Sequence, residues 1–164
     1  MNSDTVGVVG ADLREKVVRL LNTASSALDE KRYRDWVGLF TTDGTYVATS
    51  AENRENNWPL AIINDNRATM ADRAEMIDKY WSIEPGRSRR ITGNIDIDFL
   101  PGEDVLKVKS SFVIFHTGPD GRVQTQVTGV YYDTITSESG ELRLRNRTAV
   151  HDNDLLTHEV TYPF

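Results

Sequence analysis

The chain has 164 residues, no cysteine, and 19 Lys plus Arg against 25 Asp plus Glu, for a formal net charge of −6 at pH 7. That length suits one domain with a core large enough to need no disulfide or structural zinc. The acidic balance repels phosphate backbones and anionic bilayers, so neither nucleic acid nor membrane is an expected partner, and the lack of thiols removes Cys nucleophiles, Cys-ligated zinc and any iron–sulfur cluster held by this chain.

Residues 1–10 mix Gly and small residues without a period and read as an N-terminal arm, leaving 11–164 as a single domain. The first thirty residues carry charges throughout with no apolar stretch behind a basic start. No apolar run approaches the roughly 20 residues that cross a bilayer, so a soluble, cytoplasmic protein is expected. Asp12 followed by Glu15 resembles a capping box, and Leu13, Val17, Leu20, Leu21, Ala24, Ala27 and Leu28 then recur at helical spacing. After Asp29-Glu30-Lys31, the positions Tyr33, Trp36, Val37 and Phe40 predict a second, short helix ending near Thr41, with Trp36 and Phe40 in the core. Thr42-Asp43-Gly44 reads as a turn, Thr45 to Thr49 as a short strand, and Ser50 to Pro59 as a polar stretch ended by proline. From Asp65 onward, Met70, Ala74, Ile77 and Trp81 form the apolar stripe of a third helix, which Pro85-Gly86 breaks.

Downstream the period changes from near four to two. Arg89 to Phe99 places Ile91, Ile95, Ile97 and Phe99 on one side, and Pro101 to Asp104 turns the chain. Val105 to His116 is a long apolar strand. Gly118-Pro119-Asp120-Gly121 turns into Val123, Val127, Tyr131 and Ile135 at alternating positions, and Ser137 to Gly140 turns again into Glu141 to His151. Long strands joined by short turns must run antiparallel, because a parallel return needs a crossover of about a dozen residues. Helices first and a meander last predict an α+β domain, with N-terminal helices packed on one face of a curved antiparallel sheet.

This order is similar to the cone-shaped fold shared by nuclear transport factor two, ketosteroid isomerase and scytalone dehydratase. Particular runs resemble one branch of it, the small (β) subunit of aromatic-ring-hydroxylating dioxygenases of the Rieske non-haem iron class. These runs are Leu28 to Tyr46 with its acidic-basic turn, Trp helix and Leu-Phe pair, then Asn64-Asp65-Asn66-Arg67 with Arg73. Arg89 and the Asn94 strand follow, then Gly129-Val130-Tyr131-Tyr132-Asp133, Arg147 to Asp152 and the apolar tail Tyr162-Pro163-Phe164. The resemblance implies a homotrimer of this chain that holds catalytic α subunits in an α3β3 hexamer oxidising an aromatic compound. It implies no cofactor and no catalytic residue in this chain, with the Rieske [2Fe-2S] cluster and mononuclear Fe(II) in the α partner. Composition agrees independently. A Rieske centre takes two Cys and two His, and a mononuclear site two His and a carboxylate, which zero Cys and three His cannot supply together.

A free-standing isomerase or dehydratase of the same fold would instead use Asp43, Tyr46 and His116, placed by fold analogy near a cone mouth. The plainer reading has Asp43 opening a turn and Tyr46 packing in a strand. His151-Asp152-Asn153-Asp154 with His158 could be drawn as a metal site, but carboxylate-rich loops after strands are usually solvated turns, and no metal is expected. Arg143, Arg145 and Arg147 alternate with Leu142 and Leu144, so the three are expected to share one face of the last strand. They are candidates for a subunit contact, with Arg147 at or near it. Arg87, Arg89 and Arg90 are expected to pair with nearby acidic residues or with a neighbouring subunit.

Overall fold

The computed structural model describes residues 10–80, 85–100, 102, 104–153 and 162–164. Among these residues four helices, α1 (Ala11–Asp29), α2 (Tyr33–Gly38), α3 (Ala51–Glu55) and α4 (Arg67–Tyr80), accompany six strands. The strands are β1 (Phe40–Ser50), β2 (Ile63–Asn66), β3 (Arg87–Leu100), β4 (Val105–Thr117), β5 (Val123–Glu138) and β6 (Glu141–His151). They form one curved sheet in the order β2-β1-β6-β5-β4-β3, and the α+β class and helix-packed sheet expected from the sequence are as found.

The β3–β4–β5–β6 meander is antiparallel throughout. Its last turn is two residues long, with Ser139 and Gly140 both at positive φ, the backbone that matches the twist of flanking strands. β1 is the departure: it lies parallel to β6, pairing Tyr46 with Arg147, and joins the N-terminal half of the chain to the end of the meander. Pairings in β1–β6, β3–β4, β4–β5 and β5–β6 each contain a register shift. Each such bulge bends its strand and increases the local twist, which curls the sheet around one helix-covered face.

Several boundaries differ from the sequence reading. Gly10, not Asp12, stands at the α1 N-cap, and Asp12 sits inside the first turn, where a negative charge still favours the helix N-terminus. α2 stops at Gly38 and the strand begins at once, so Thr42-Asp43-Gly44 is no free turn but the irregular first part of β1. A methyl group on Gly44 would come within 2.8 Å of Phe40 Cβ and 2.9 Å of the Thr41 carbonyl, so only glycine fits that fold-back. The polar stretch after Thr49 contains α3, capped by the Ser50 hydroxyl accepting from Asn53 N. Asp65 lies in β2 and α4 starts at Arg67, because Asn66 Oδ1 accepts from the amides of Ala68 and Thr69 at 3.0 Å each. Trp81 lies outside the described residues.

β3 does not keep Ile91, Ile95, Ile97 and Phe99 on one face. A bulge between Gly93 and Asp96, with Asn94 at positive φ, reverses the alternation. Ile95 and Ile97 therefore pack on the core while Ile91, before the bulge, is 58 % exposed; Phe99 keeps the parity of Ile97, opposite Leu106, but is 40 % exposed near the end of the strand. The core runs from α1 (Val17, Leu21, Ala24, Leu28) through Trp36 and Phe40 to Ile114, Val127, Ile135 and Leu144, with the tail residue Phe164 included.

Candidate functional site

The interior of the cone is built on charge as well as on apolar packing. Asp133 shares the strand parity of Tyr131 and Ile135 and so points into the core, where a shift in the β5–β6 register sets it opposite Arg147. The two make a bidentate pair, Nε to Oδ1 at 2.9 Å and Nη2 to Oδ2 at 2.8 Å, with side-chain exposures of 1 % and 0 %. Burial alone would lower the Arg147 pKa, but the Asp133 charge and hydrogen bonds outweigh it and the guanidinium is held above its usual range. The guanidinium lies over the Tyr131 ring at 4.2 Å, and that ring stacks on Phe112 at 4.1 Å. Gly129 makes room for this stack: its residue pairs with Phe112 across β4–β5, and an added Cβ would meet the Phe112 ring at 2.9 Å.

Beside the pair stands Tyr46, fully buried, with the Trp36 ring edge-on at 5.2 Å. Its hydroxyl accepts a hydrogen bond from the backbone amide of Phe164 at 2.8 Å. The tail is further tied by Arg90, whose Nη2 donates to the Pro163 carbonyl at 2.8 Å and whose Nη1 donates to Asp29 at 2.7 Å. His151 presents its ring edge-on to Phe164 at 5.7 Å. Its Nδ1 lies 3.0 Å from the Asn153 carbonyl, an acceptor only, so Nδ1 carries the proton. What remains open next to the tail is a cavity of about 40 Å3, bordered by Leu28, Asp29, Arg90, Ile114, His116 and Phe164. That holds water but is far below the roughly 300–1,000 Å3 of a small-molecule pocket.

The three residues of the isomerase reading are not brought together. Asp43 is a surface group at the start of β1, accepting from the Thr41 hydroxyl at 2.8 Å and facing Arg145 at 3.3 Å; Thr41 first and then Arg145 hold its carboxyl below the usual range. Tyr46 is sealed under the tail, and burial pushes its pKa upward, away from use as a base near neutrality. His116 lines the small cavity, with Nδ1 3.4 Å from the Ser88 hydroxyl. Among the described residues no three metal-ligating side chains converge; Asp154 and His158 of the candidate metal set lie outside those residues.

The expectation that Arg143, Arg145 and Arg147 share a face is corrected by the bulge at the Thr134/Ile135 register shift, which changes the alternation along β6. Arg147 points into the core. Arg143 is half-buried, donating to the Gly38 carbonyl and to Glu141, and Arg145 is exposed beside Asp43. Of the second arginine group, Arg90 pairs with Asp29 at 2.7 Å in a site less than one-tenth exposed, as the expectation of an acidic partner had it. Sequence reading missed Asp133 as a core charge, although its parity with Tyr131 and Ile135 was the available signal. It also missed Asp65, which binds Arg73 through Nε at 2.6 Å and Nη2 at 3.2 Å and fastens β2 to α4.

Burial of two phenols has a consequence at high pH. Tyr46 and Tyr131 both have raised pKa values because burial penalises the phenolate. Below about pH 10 both are protonated in folded and unfolded chains and stability is unaffected. Above it the unfolded chain releases protons the folded chain keeps, so stability falls as pH rises, by about 1.4 kcal/mol per pH unit for each phenol. Urea unfolding between pH 9 and 11.5 should show stability falling above about pH 10, and Tyr131→Phe should make that fall shallower.

A bulged six-stranded sheet wrapped around helices, with an interior closed by its own charges and tail, defines a member of the cone-shaped α+β class. The model of the ring hydroxylating beta subunit family matches residues 24–158, and the chain belongs to that family. The anthranilate 1,2-dioxygenase small subunit of Burkholderia cepacia is 25 % identical over 138 residues, covering 84 % of this chain and 85 % of its own. A Novosphingobium aromaticivorans DSM 12444 structure, assigned as the beta subunit of an aromatic-ring-hydroxylating dioxygenase, superposes with a TM-score of 0.81 at 26 % identity, over 92 % of this chain and 95 % of that one. The benzoate 1,2-dioxygenase beta subunit of Burkholderia mallei ATCC 23344 shares the fold, with a TM-score of 0.74 at 16 % identity over 94 % and 98 %. Among the described residues no helix is long and apolar enough to cross a membrane.

Proposed function

We propose that this chain is the non-catalytic structural subunit of a cytoplasmic Rieske-type oxygenase that oxidises an aromatic compound. It forms a homotrimer that holds three catalytic α subunits in an α3β3 hexamer, and it carries no catalytic residue itself. The observation that carries this reading is the closed interior. Where a catalytic cone needs an open pocket with a reachable acid or base, Tyr46 is covered by Phe164, Arg147 is neutralised by Asp133, and about 40 Å3 is left beside the tail. The Rieske [2Fe-2S] cluster and mononuclear Fe(II) belong to the α partner, consistent with a chain that has no Cys to hold the cluster.

In this assembly the arginines at the β6 start mark a contact surface. Arg145, exposed and paired only at 3.3 Å with Asp43, is placed to exchange that partner for a carboxylate of another subunit; Arg143 flanks it and Arg147 stands buried behind. Co-expression with the gene for the larger subunit should yield one complex by light scattering. Arg145→Glu should lower its mass toward that of separate subunits without changing the melting temperature of the isolated chain. A chain that stays alone in the presence of its partner and turns over a small molecule by itself would reject the reading.

A further inference from the structure

We propose that Tyr162–Phe164 acts as an intramolecular ligand, filling a site inside the cone that accepts a small arylalkyl amide, an aromatic ring joined by a short linker to a secondary amide. This goes beyond subunit assembly and does not depend on it. The segment belongs to no helix or strand, yet its end is held as a bound molecule would be. Phe164, 3 % exposed, lies in the core with its ring nearly perpendicular to that of His151. One peptide unit supplies both polar contacts: its N–H donates to Tyr46 Oη at 2.8 Å, and its carbonyl, that of Pro163, accepts from Arg90 Nη2 at 2.8 Å.

Two further polar atoms at the same place are left without partners. Arg90 Nε and His151 Nε2 are buried and make no hydrogen bond among the described residues. Buried polar groups are normally satisfied, so each unpaired one calls for a partner that the described side chains do not supply. Arg90 also borders the cavity of about 40 Å3 beside Phe164, which adds space to that vacated by a displaced ring. Among the described residues the Pro163–Phe164 peptide is held by two hydrogen bonds and Tyr162 by its ring against Tyr33 at 6.0 Å, and none of these belongs to a sheet ladder, so opening is local rather than global.

The probe is N-phenethylacetamide, which reproduces the Phe164 ring, its linker and the amide, with N-methyl-N-phenethylacetamide as the control that cannot donate to Tyr46. In the full chain, Phe164→Ala should lower the melting temperature by roughly 10 °C. Millimolar N-phenethylacetamide should recover several degrees of it, the N-methyl control much less, and wild type should shift little because its own ring holds the site. No recovery, or the same shift in both proteins, overturns the proposal. Should Phe164→Ala fail to fold, amide exchange in wild type decides. Tens of millimolar probe should speed exchange of the Phe164 amide about tenfold while leaving that of Arg147 unchanged, by mass action on the tail-open state. An unchanged Phe164 rate overturns it.

Discussion

Asp133→Ala is expected to destabilise the chain by about 3–5 kcal/mol, because it strands the Arg147 guanidinium in the core without a counter-charge. For a protein of this length that corresponds to a fall in melting temperature of roughly 10 °C or more. The two lost hydrogen bonds, at 2.8 and 2.9 Å, are charge-assisted and have no water to replace them at exposures of 0 % and 1 %. The decisive comparison is the double variant Asp133→Leu with Arg147→Met. If uncompensated charge is the cause, exchanging both groups for apolar ones should recover most of the loss, whereas Asp133→Ala alone should not. Thermal unfolding of the two variants reads the difference directly, and equal losses in both would assign the effect to packing instead.

Gly129→Ala should be comparably harmful, by about 3 kcal/mol or more, for a steric reason. The new methyl would stand 2.1 Å from the Val150 carbonyl oxygen as well as 2.9 Å from the Phe112 ring. A side chain can rotate away, but a carbonyl within the β5–β6 ladder moves only if the strands part, and overpacking that shifts backbone exceeds the usual 1–3 kcal/mol. Adding Phe112→Ala should therefore give no rescue, and the double variant should sit at or near the sum of the two single losses. Recovery on trimming Phe112 would show that ring crowding, not the backbone oxygen, limits the site. Denaturant unfolding with unchanged m-value is the measurement.

Elements dominated by periodicity were legible: the α1 stripe, the core positions of Trp36 and Phe40, although Phe40 opens β1 rather than closing α2, and the succession of long antiparallel strands. What escaped depends on single-residue irregularities. A bulge near Asn94 separates Ile91 from Ile95, and another in β5–β6 turns Arg147 inward while Arg145 stays out. Period-two reasoning has no means of seeing an inserted residue, and each insertion reverses every side chain beyond it. The parallel β1–β6 pairing was equally hidden, since partners so far apart in sequence leave no local turn signal. For the site, the segments that carry the resemblance turned out to hold the internal fastenings: Asp65 with Arg73, Asp133 with Arg147, Gly129 under Phe112, and the tail on Tyr46.

The junction of β1 with β6 also dictates when this protein can finish folding. Tyr46 meets Arg147, 101 positions later, so a nascent chain has synthesised nearly everything before its first long strand finds a neighbour on that side. The meander hairpins and the β1–β2 pair, with near-sequence contacts, can close early, but the β1–β6 pairing comes last, and closing so long a loop slows the step that completes the core. During that interval β1 offers an unpaired edge. An open strand edge of this kind is a template for pairing with another chain until β6 covers it.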